Sequence, residues 1–337
     1  MLKIKIGTDK QHKNNSLKAN VWSPARPLLQ GNRGNGEYEQ AGRKRVEAVL
    51  AELDKMVGLE AVKNLVKELR AFVEIQQRRR REGLVTVATV MHMIFKGNPG
   101  TGKSTVARLM GRLFKELGVL SQGQLVEVER ADLVGEYIGH TAHKAREQLK
   151  KAVGGILFID EAYSLARGGE KDFGREAIDV LVKGMEDYRD NLILILAGYR
   201  EEMDSFLETN PGLRSRFPIQ LDFPDYTVPE LLAIARVMLA ERQYILSIEA
   251  AAEMERLLRR EALFGHRYNG NARMVRNIIE RAIRRQALRL VDKRSLTRGQ
   301  LMTIEKDDLL RPAPPAKLQE EGGELSPGSP ICYNNSR

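Results

Sequence analysis

From Lys44 onward, apolar positions recur every three to four residues, which sets Val46, Val49, Leu50 and Leu53 on one helical face. Met56-Val57-Gly58-Leu59-Glu60 interrupts that rhythm. A second helical pattern follows, with Val62, Leu65, Val66, Leu69 and Val73 in register as far as Arg81. Short apolar runs then alternate with helical patterns. The runs are Met91–Phe95, Leu125–Val128, Gly154–Ile159, Asn191–Ala197 and Ser215–Leu221, each read as a strand. Between them lie Val106, Leu109, Met110, Leu113 and Leu117 on one helical face, a helix from Ala145 to Ala152, and another from Gly174 to Asp187. Ile156-Leu157-Phe158-Ile159, bounded by Gly154-Gly155, suits a parallel strand covered on both faces. Alternation of this kind implies right-handed crossovers and an α/β fold with a doubly wound parallel sheet.

After Pro224 the pattern turns helical, with segments over 227–243, 249–264 and 271–291 and no strand among them. Thr227 with Glu230 three residues on reads as a capping box. The chain thus divides into a basic, disordered tail over 1–43, an α/β domain over 44–224, a small helical domain over 225–310 and a disordered tail over 311–337.

Charge and composition narrow the classes. Net charge is +10 over 337 residues, but residues 1–50 hold ten basic against four acidic residues, and 51–310 hold 42 against 38. A near-neutral body disfavours a nucleic-acid enzyme, which carries its excess on the folded surface. No apolar run approaches the ~20 residues of a membrane span, and the N-terminus has no signal-peptide core. Cys332 is the only cysteine, so the expected compartment is a reducing cytoplasm.

Gly97-Asn98-Pro99-Gly100-Thr101-Gly102-Lys103-Ser104 fits G-x-x-x-x-G-K-[S/T] between a strand and a helix. Backbone N–H groups and the helix N-terminus suit phosphate oxygens there. Lys103 is expected to reach the β- and γ-phosphates of ATP, Ser104 to hold Mg²⁺, and Thr105 to complete the nucleotide contact. Asp160-Glu161 closes an apolar strand, where open α/β sheets place ligands. Asp160 is expected to bind the Mg²⁺ and Glu161 to polarise the attacking water.

These motifs, with the helical domain behind them, resemble AAA+ ATPases. More narrowly, Glu136-Tyr137-Ile138-Gly139-His140-Thr141, Asp160-Glu161-Ala162-Tyr163-Ser164-Leu165 and Ala197-Gly198-Tyr199 resemble the group of stage V sporulation protein K and red-type Rubisco activase, from about Met56 to Leu309. The resemblance implies a homo-oligomeric ring, a hexamer, that hydrolyses ATP at subunit interfaces. It implies an arginine finger supplied to the neighbour, best matched by Arg216 with Arg214 as the alternative. It assigns Arg273, in Gly270-Asn271-Ala272-Arg273, to the γ-phosphate, and Val57-Gly58 to the adenine pocket. Many relatives carry Asn, Thr or Ser at the polar sensor position after the fourth strand, where this chain has Tyr199.

Tyr137-Ile138-Gly139 falls where remodelling members carry a pore loop that grips a threaded protein client, and Gly168-Gly169 suits a second one. Residues 265–300 carry ten basic residues against Glu280 and Asp292, a solvated face or a docking site for an acidic partner. The expected activity is ATP-driven remodelling of a protein client, with sporulation as the setting that the resemblance points to. The alternative is a nucleic-acid motor or clamp-loader-like switch.

Overall fold

The computed structural model describes residues 35–86, 90–137, 139–167, 173–264 and 270–310. The expected tails beyond these bounds, Ile138 and the Gly168-Gly169 loop lie outside the described residues.

Helix α1 (Asn35–Asp54) leads into α2 (Glu60–Arg81). The first helix starts at Asn35, inside the stretch expected to be a disordered tail. Residues 35–43 contain Glu, Gln, Ala and Arg, strong helix formers that a hydrophobic pattern does not register. The sheet is built from β1 (Met93–Gly97), followed by α3 (Lys103–Glu116), β2 (Leu125–Val128), α4 (Arg130–Leu133), α5 (His140–Ala152) and β3 (Ile156–Ile159). A 3₁₀ turn over Ala162–Ala166 precedes α6 (Gly174–Asp187), β4 (Ile193–Gly198), α7 (Arg200–Thr209), α8 (Pro211–Arg216) and β5 (Ile219–Phe223). All five strands are parallel, in the order β2-β3-β4-β1-β5.

Both faces of the sheet are covered, and for that reason its central strands read as unbroken apolar runs. On one face Met93, Phe95, Ile156, Phe158, Ile193 and Ile195 join the apolar sides of α1, α2 and α3. On the other, Ile94, Leu157, Ile159, Leu194 and Leu196 pack with α5, α6 and α7. The period-2 alternation of strand side chains sorts neighbouring residues into the two layers.

One strand boundary differs from expectation. Ser215–Leu221 is not a single strand: Pro211 opens the helix α8, which ends at Arg216, and pairing to β1 starts at Met93↔Ile219. Proline favours the first turn of a helix, and Pro218, lacking an N–H, sits just ahead of the strand.

The second domain holds α9 (Val228–Glu241), β6 (Ile245–Leu246), α10 (Ile248–Phe264), α11 (Asn271–Leu290), α12 (Arg298–Met302), β7 (Thr303–Ile304) and α13 (Lys306–Leu309). It is helical apart from the two-residue parallel pairing of β6 with β7. Its own core gathers Leu231, Leu239, Met254, Leu258, Val275 and Ile279. Glu230 Oε2 accepts the Thr227 N–H at 2.7 Å at the start of α9; caps of this kind contribute about 1 kcal/mol.

Candidate active site

The loop from Gly97 to Gly102 joins β1 to α3 at the C-terminal edge of the sheet. Gly97 and Gly100 have φ of 157° and 74°. A Cβ at Gly97 would stand 2.3 Å from Phe223 O, and one at Gly100 would stand 2.4 Å from Gly270 O, so both positions require glycine. Lys103 Nζ donates to Gly97 O at 2.7 Å and to Asn98 O at 2.9 Å. Burial lowers the Lys103 pKa and Asp160 opposes that shift, while Arg273 adds to it. Two cations facing one partly dry space favour an anion between them.

The acidic pair follows β3. Asp160 Oδ1 accepts the Glu161 N–H at 3.0 Å, and Glu161 takes a left-handed φ of 47°. A non-glycine residue in this region stores about 1–3 kcal/mol. Tyr163 and Tyr199 flank Glu161 with ring centroids 5.9 Å apart. Burial first, then the Glu161 charge, push both phenols above their ordinary pKa, so both hydroxyls stay protonated donors.

A cleft of about 610 Å³ opens between the two domains, within the range of small-molecule sites. It is lined by Val57, Gly97, Pro99, Gly100, Gly102, Lys103, Ser104, Thr105, Asp160, Glu161 and Arg273. Those expected residues are therefore brought together. Gly58, Asn98 and Thr101 are not part of the lining. The Asn98 amide turns away to Asp225 at 2.9 and 3.0 Å. Thr101 is fully buried and donates to Asn98 O at 2.8 Å. Gly58 has a left-handed φ of 63°, and a Cβ there would meet Glu230 Oε1 at 2.5 Å.

Arg216 lies outside this cleft, paired with Glu186 on α6 at 3.1 Å. Arg214 is exposed one position beyond Leu213. Tyr137 is 66 % exposed, its ring edge-on to His140 at 5.5 Å, and it too stands apart from the cleft lining. Tyr199 lines the cleft at the N-terminus of α7.

Several lining residues were not foreseen: Glu52, Lys55, Tyr226 and Arg276, and an apolar wall of Met56, Ile234, Val237 and Met238. Arg276 had a signal, because it stands one helical turn after Arg273. The α9 residues had none, since their stripe reads equally as lid core.

A hydroxyl at Ser104 and a carboxylate at Asp160 are hard oxygen ligands. They suit Mg²⁺, which takes one or two protein ligands with phosphate and water completing the shell.

The AAA family, described as ATPase family associated with various cellular activities, matches residues 93–225, and the AAA lid domain matches 227–320. Stage V sporulation protein K of Bacillus subtilis (strain 168) is 51 % identical over 88 % of this chain and 95 % of its own length. The chain belongs to the AAA ATPase family. Protein CfxQ of Xanthobacter flavus is 47 % identical over 78 % of the chain and 84 % of its own length. The chloroplastic ribulose bisphosphate carboxylase/oxygenase activase of Cyanidioschyzon merolae (strain NIES-3377 / 10D) is 44 % identical over 82 % and 94 %. This AAA ATPase is accordingly a nucleotide-binding ATP hydrolase built from a parallel α/β domain and a helical lid. Among the described residues no helix is long and apolar enough to cross a membrane.

The basic stretch of the lid is partly consumed within it. Arg289 pairs with the buried Asp308 at 2.8 Å, and Arg285 donates to the carbonyls of Asp308 and Leu310. These contacts anchor α13 on α11.

Proposed function

We propose that this AAA ATPase assembles as a ring, a hexamer, hydrolyses ATP at its subunit interfaces and draws a protein client through the central channel. The observation that carries the reading is Tyr137: a large aromatic, 66 % exposed, on a loop between α4 and α5 that takes no part in the nucleotide cleft. Lys103 and the loop N–H groups hold the β- and γ-phosphates, and Val57 borders the adenine. Ser104 and Asp160 would hold Mg²⁺, which when bound neutralises charge on the phosphate oxygens. Glu161 orients a water and accepts its proton, with the Tyr199 hydroxyl as a second partner for that water.

Arg273 approaches the γ-phosphate from the lid. Arg216 is paired with Glu186 and is absent from the lining of its own cleft; a phosphate contact for it calls for the cleft of a neighbouring subunit. The charge that spreads over the γ-phosphate in the transition state is met there by an arginine from each side. The proposed setting is the cytoplasm during spore formation, supported by the 51 % identity to stage V sporulation protein K.

The test uses Glu161→Gln protein, which should bind ATP without turning it over. Its mass with ATP should correspond to one closed ring. A client should copurify with it from sporulating cells and be lost when Tyr137→Ala is added. A protein that stays monomeric with ATP would sink the reading.

A further inference from the structure

Asn271 opens α11 two positions before Arg273 and is 1 % exposed. Its φ of 45° is left-handed, a region asparagine tolerates better than most residues. Its side chain bonds to two other parts of the molecule, the phosphate loop and the connection into the lid. Nδ2 donates to Asp225 Oδ1 at 2.8 Å and to Pro99 O at 3.3 Å, and Oδ1 accepts the Tyr226 N–H at 2.9 Å. Asp225 in turn accepts from the Asn98 amide at 2.9 and 3.0 Å. The Tyr226 hydroxyl donates to Thr101 O at 3.1 Å, and the Ala272 N–H to Gly100 O at 3.2 Å. Residues 98–101 of the phosphate loop, the connection into the lid and the start of α11 thus close into one hydrogen-bonded ring around Asn271.

We infer that Asn271 is a positioning residue for ATP hydrolysis, clamping the lid onto the phosphate loop and setting where Arg273 stands relative to Lys103. The inference rests on the proposed contact of Arg273 with the γ-phosphate. Burial lowers the Lys103 pKa, Asp160 opposes that and Arg273 adds to it, so the two like charges line one cleft at some cost. Something must hold them across one cleft before an anion arrives. Local strain persists where the surroundings over-determine it, and the contacts of Asn271 do so at φ 45°. A buried polar side chain that satisfies its partners holds a single geometry. A misplacement of 1 Å at a reacting centre costs on the order of 10²-fold in rate.

The experiment measures kcat for ATP, ADP affinity and melting temperature. Asn271→Gly is the first variant, because glycine keeps the left-handed backbone without strain and removes only the side chain. Its kcat should fall about 10- to 100-fold, and ADP affinity should fall by less than that, because ADP lacks the γ-phosphate that Arg273 meets. Asn271→Gly combined with Arg273→Ala should be no slower than Arg273→Ala alone, since one residue acts through the other. Losses that multiply in the double variant would assign Asn271 a merely structural role. Near-wild-type turnover of Asn271→Gly beside an impaired Arg273→Ala overturns the clamp alone. Unimpaired Arg273→Ala removes the reading of Arg273, and the inference with it. A charge swap covers the case in which Asn271→Gly does not fold. Asn271→Asp sets a carboxylate against Asp225, and adding Asp225→Asn restores the donor–acceptor pair at that position while the bond to Pro99 O stays lost. Turnover recovered in part over Asn271→Asp alone supports the clamp, and a folded swap no faster than Asn271→Asp overturns it.

Discussion

Arg216 and Glu186 form an ion pair at 3.1 Å between the end of α8 and α6, on a surface where both side chains meet water. Exposed pairs of this kind are worth about 0–1 kcal/mol, so Glu186 restrains the arginine without trapping it. Arg216→Ala should retain ATP binding and lose about 10³-fold or more in turnover, by the behaviour of arginine fingers. Turnover per subunit should rise with protein concentration as rings assemble. Mixing Arg216→Ala with Lys103→Ala should recover part of the activity, because some interfaces then pair an intact loop with an intact finger. Glu186→Gln should leave turnover within about fivefold of wild type, in keeping with so weak a restraint. Co-assembled mixtures that stay inactive would remove the trans role.

Lys103 and Glu161 separate binding from chemistry. Lys103 carries its charge in a partly buried setting held by two carbonyls and Asp160. Lys103→Ala removes that cation from the phosphates, and nucleotide binding measured by titration should be lost. Glu161→Gln keeps the shape and the hydrogen bond at Asp160, which uses the backbone N–H. It should bind ATP at wild-type affinity and hydrolyse it at least about 10²-fold more slowly, the usual contribution of a general base. Hydrolysis near the wild-type rate would show that Glu161 is not the base.

The layered fold was legible because burial on both faces leaves β3 and β4 as unbroken apolar runs that few other structures explain. The phosphate loop and Asp160-Glu161 were legible because each packs its chemistry into a few adjacent residues. The strand near Ser215 was misplaced because Phe217, Ile219 and Leu221 alternate while α8 spans a single turn and a half. The inward roles of Asn98 and Thr101 were hidden by the motif, which names the loop without saying which side chains support it. The Asn271 contacts join residues 172 and 46 positions apart; no local pattern encodes such pairings, which appear only when sheet and lid are brought together.

His92 makes stability depend on pH. It is buried beside Phe217, its Nδ1 accepts the Leu194 N–H at 3.0 Å, and burial pushes its pKa down to about 4. The unfolded chain takes up the proton near 6.5. Between those values the unfolded state binds more protons, so stability falls as pH drops from about 6.5 to about 4 and is unaffected by His92 above 7. From pH 7.5 to 5.0 this group alone removes about 2 kcal/mol. His92→Asn retains an acceptor and cannot titrate. Urea unfolding at both pH values should show wild type losing about 2 kcal/mol more than the variant does. Equal losses would mean that His92 is not what titrates.

Tyr137 decides between threading and every other use of this fold. Its ring meets His140 edge-on and is otherwise largely in water, while the cleft that holds Lys103, Asp160 and Glu161 is lined without it. Removing the ring should therefore leave ATP binding, assembly and melting temperature close to wild type, since an exposed side chain contributes little to the core. Tyr137→Ala should hydrolyse ATP at nearly the basal rate but fail to unfold or release a bound client, because the aromatic face supplies the grip. Tyr137→Phe should keep most of the remodelling, as apolar contact and stacking do not need the hydroxyl. The measurement is ATPase rate beside client unfolding for the three proteins. Normal remodelling by Tyr137→Ala would rule out a channel gripped at this loop. A large fall in melting temperature would instead make the ring a packing element, in conflict with its 66 % exposure.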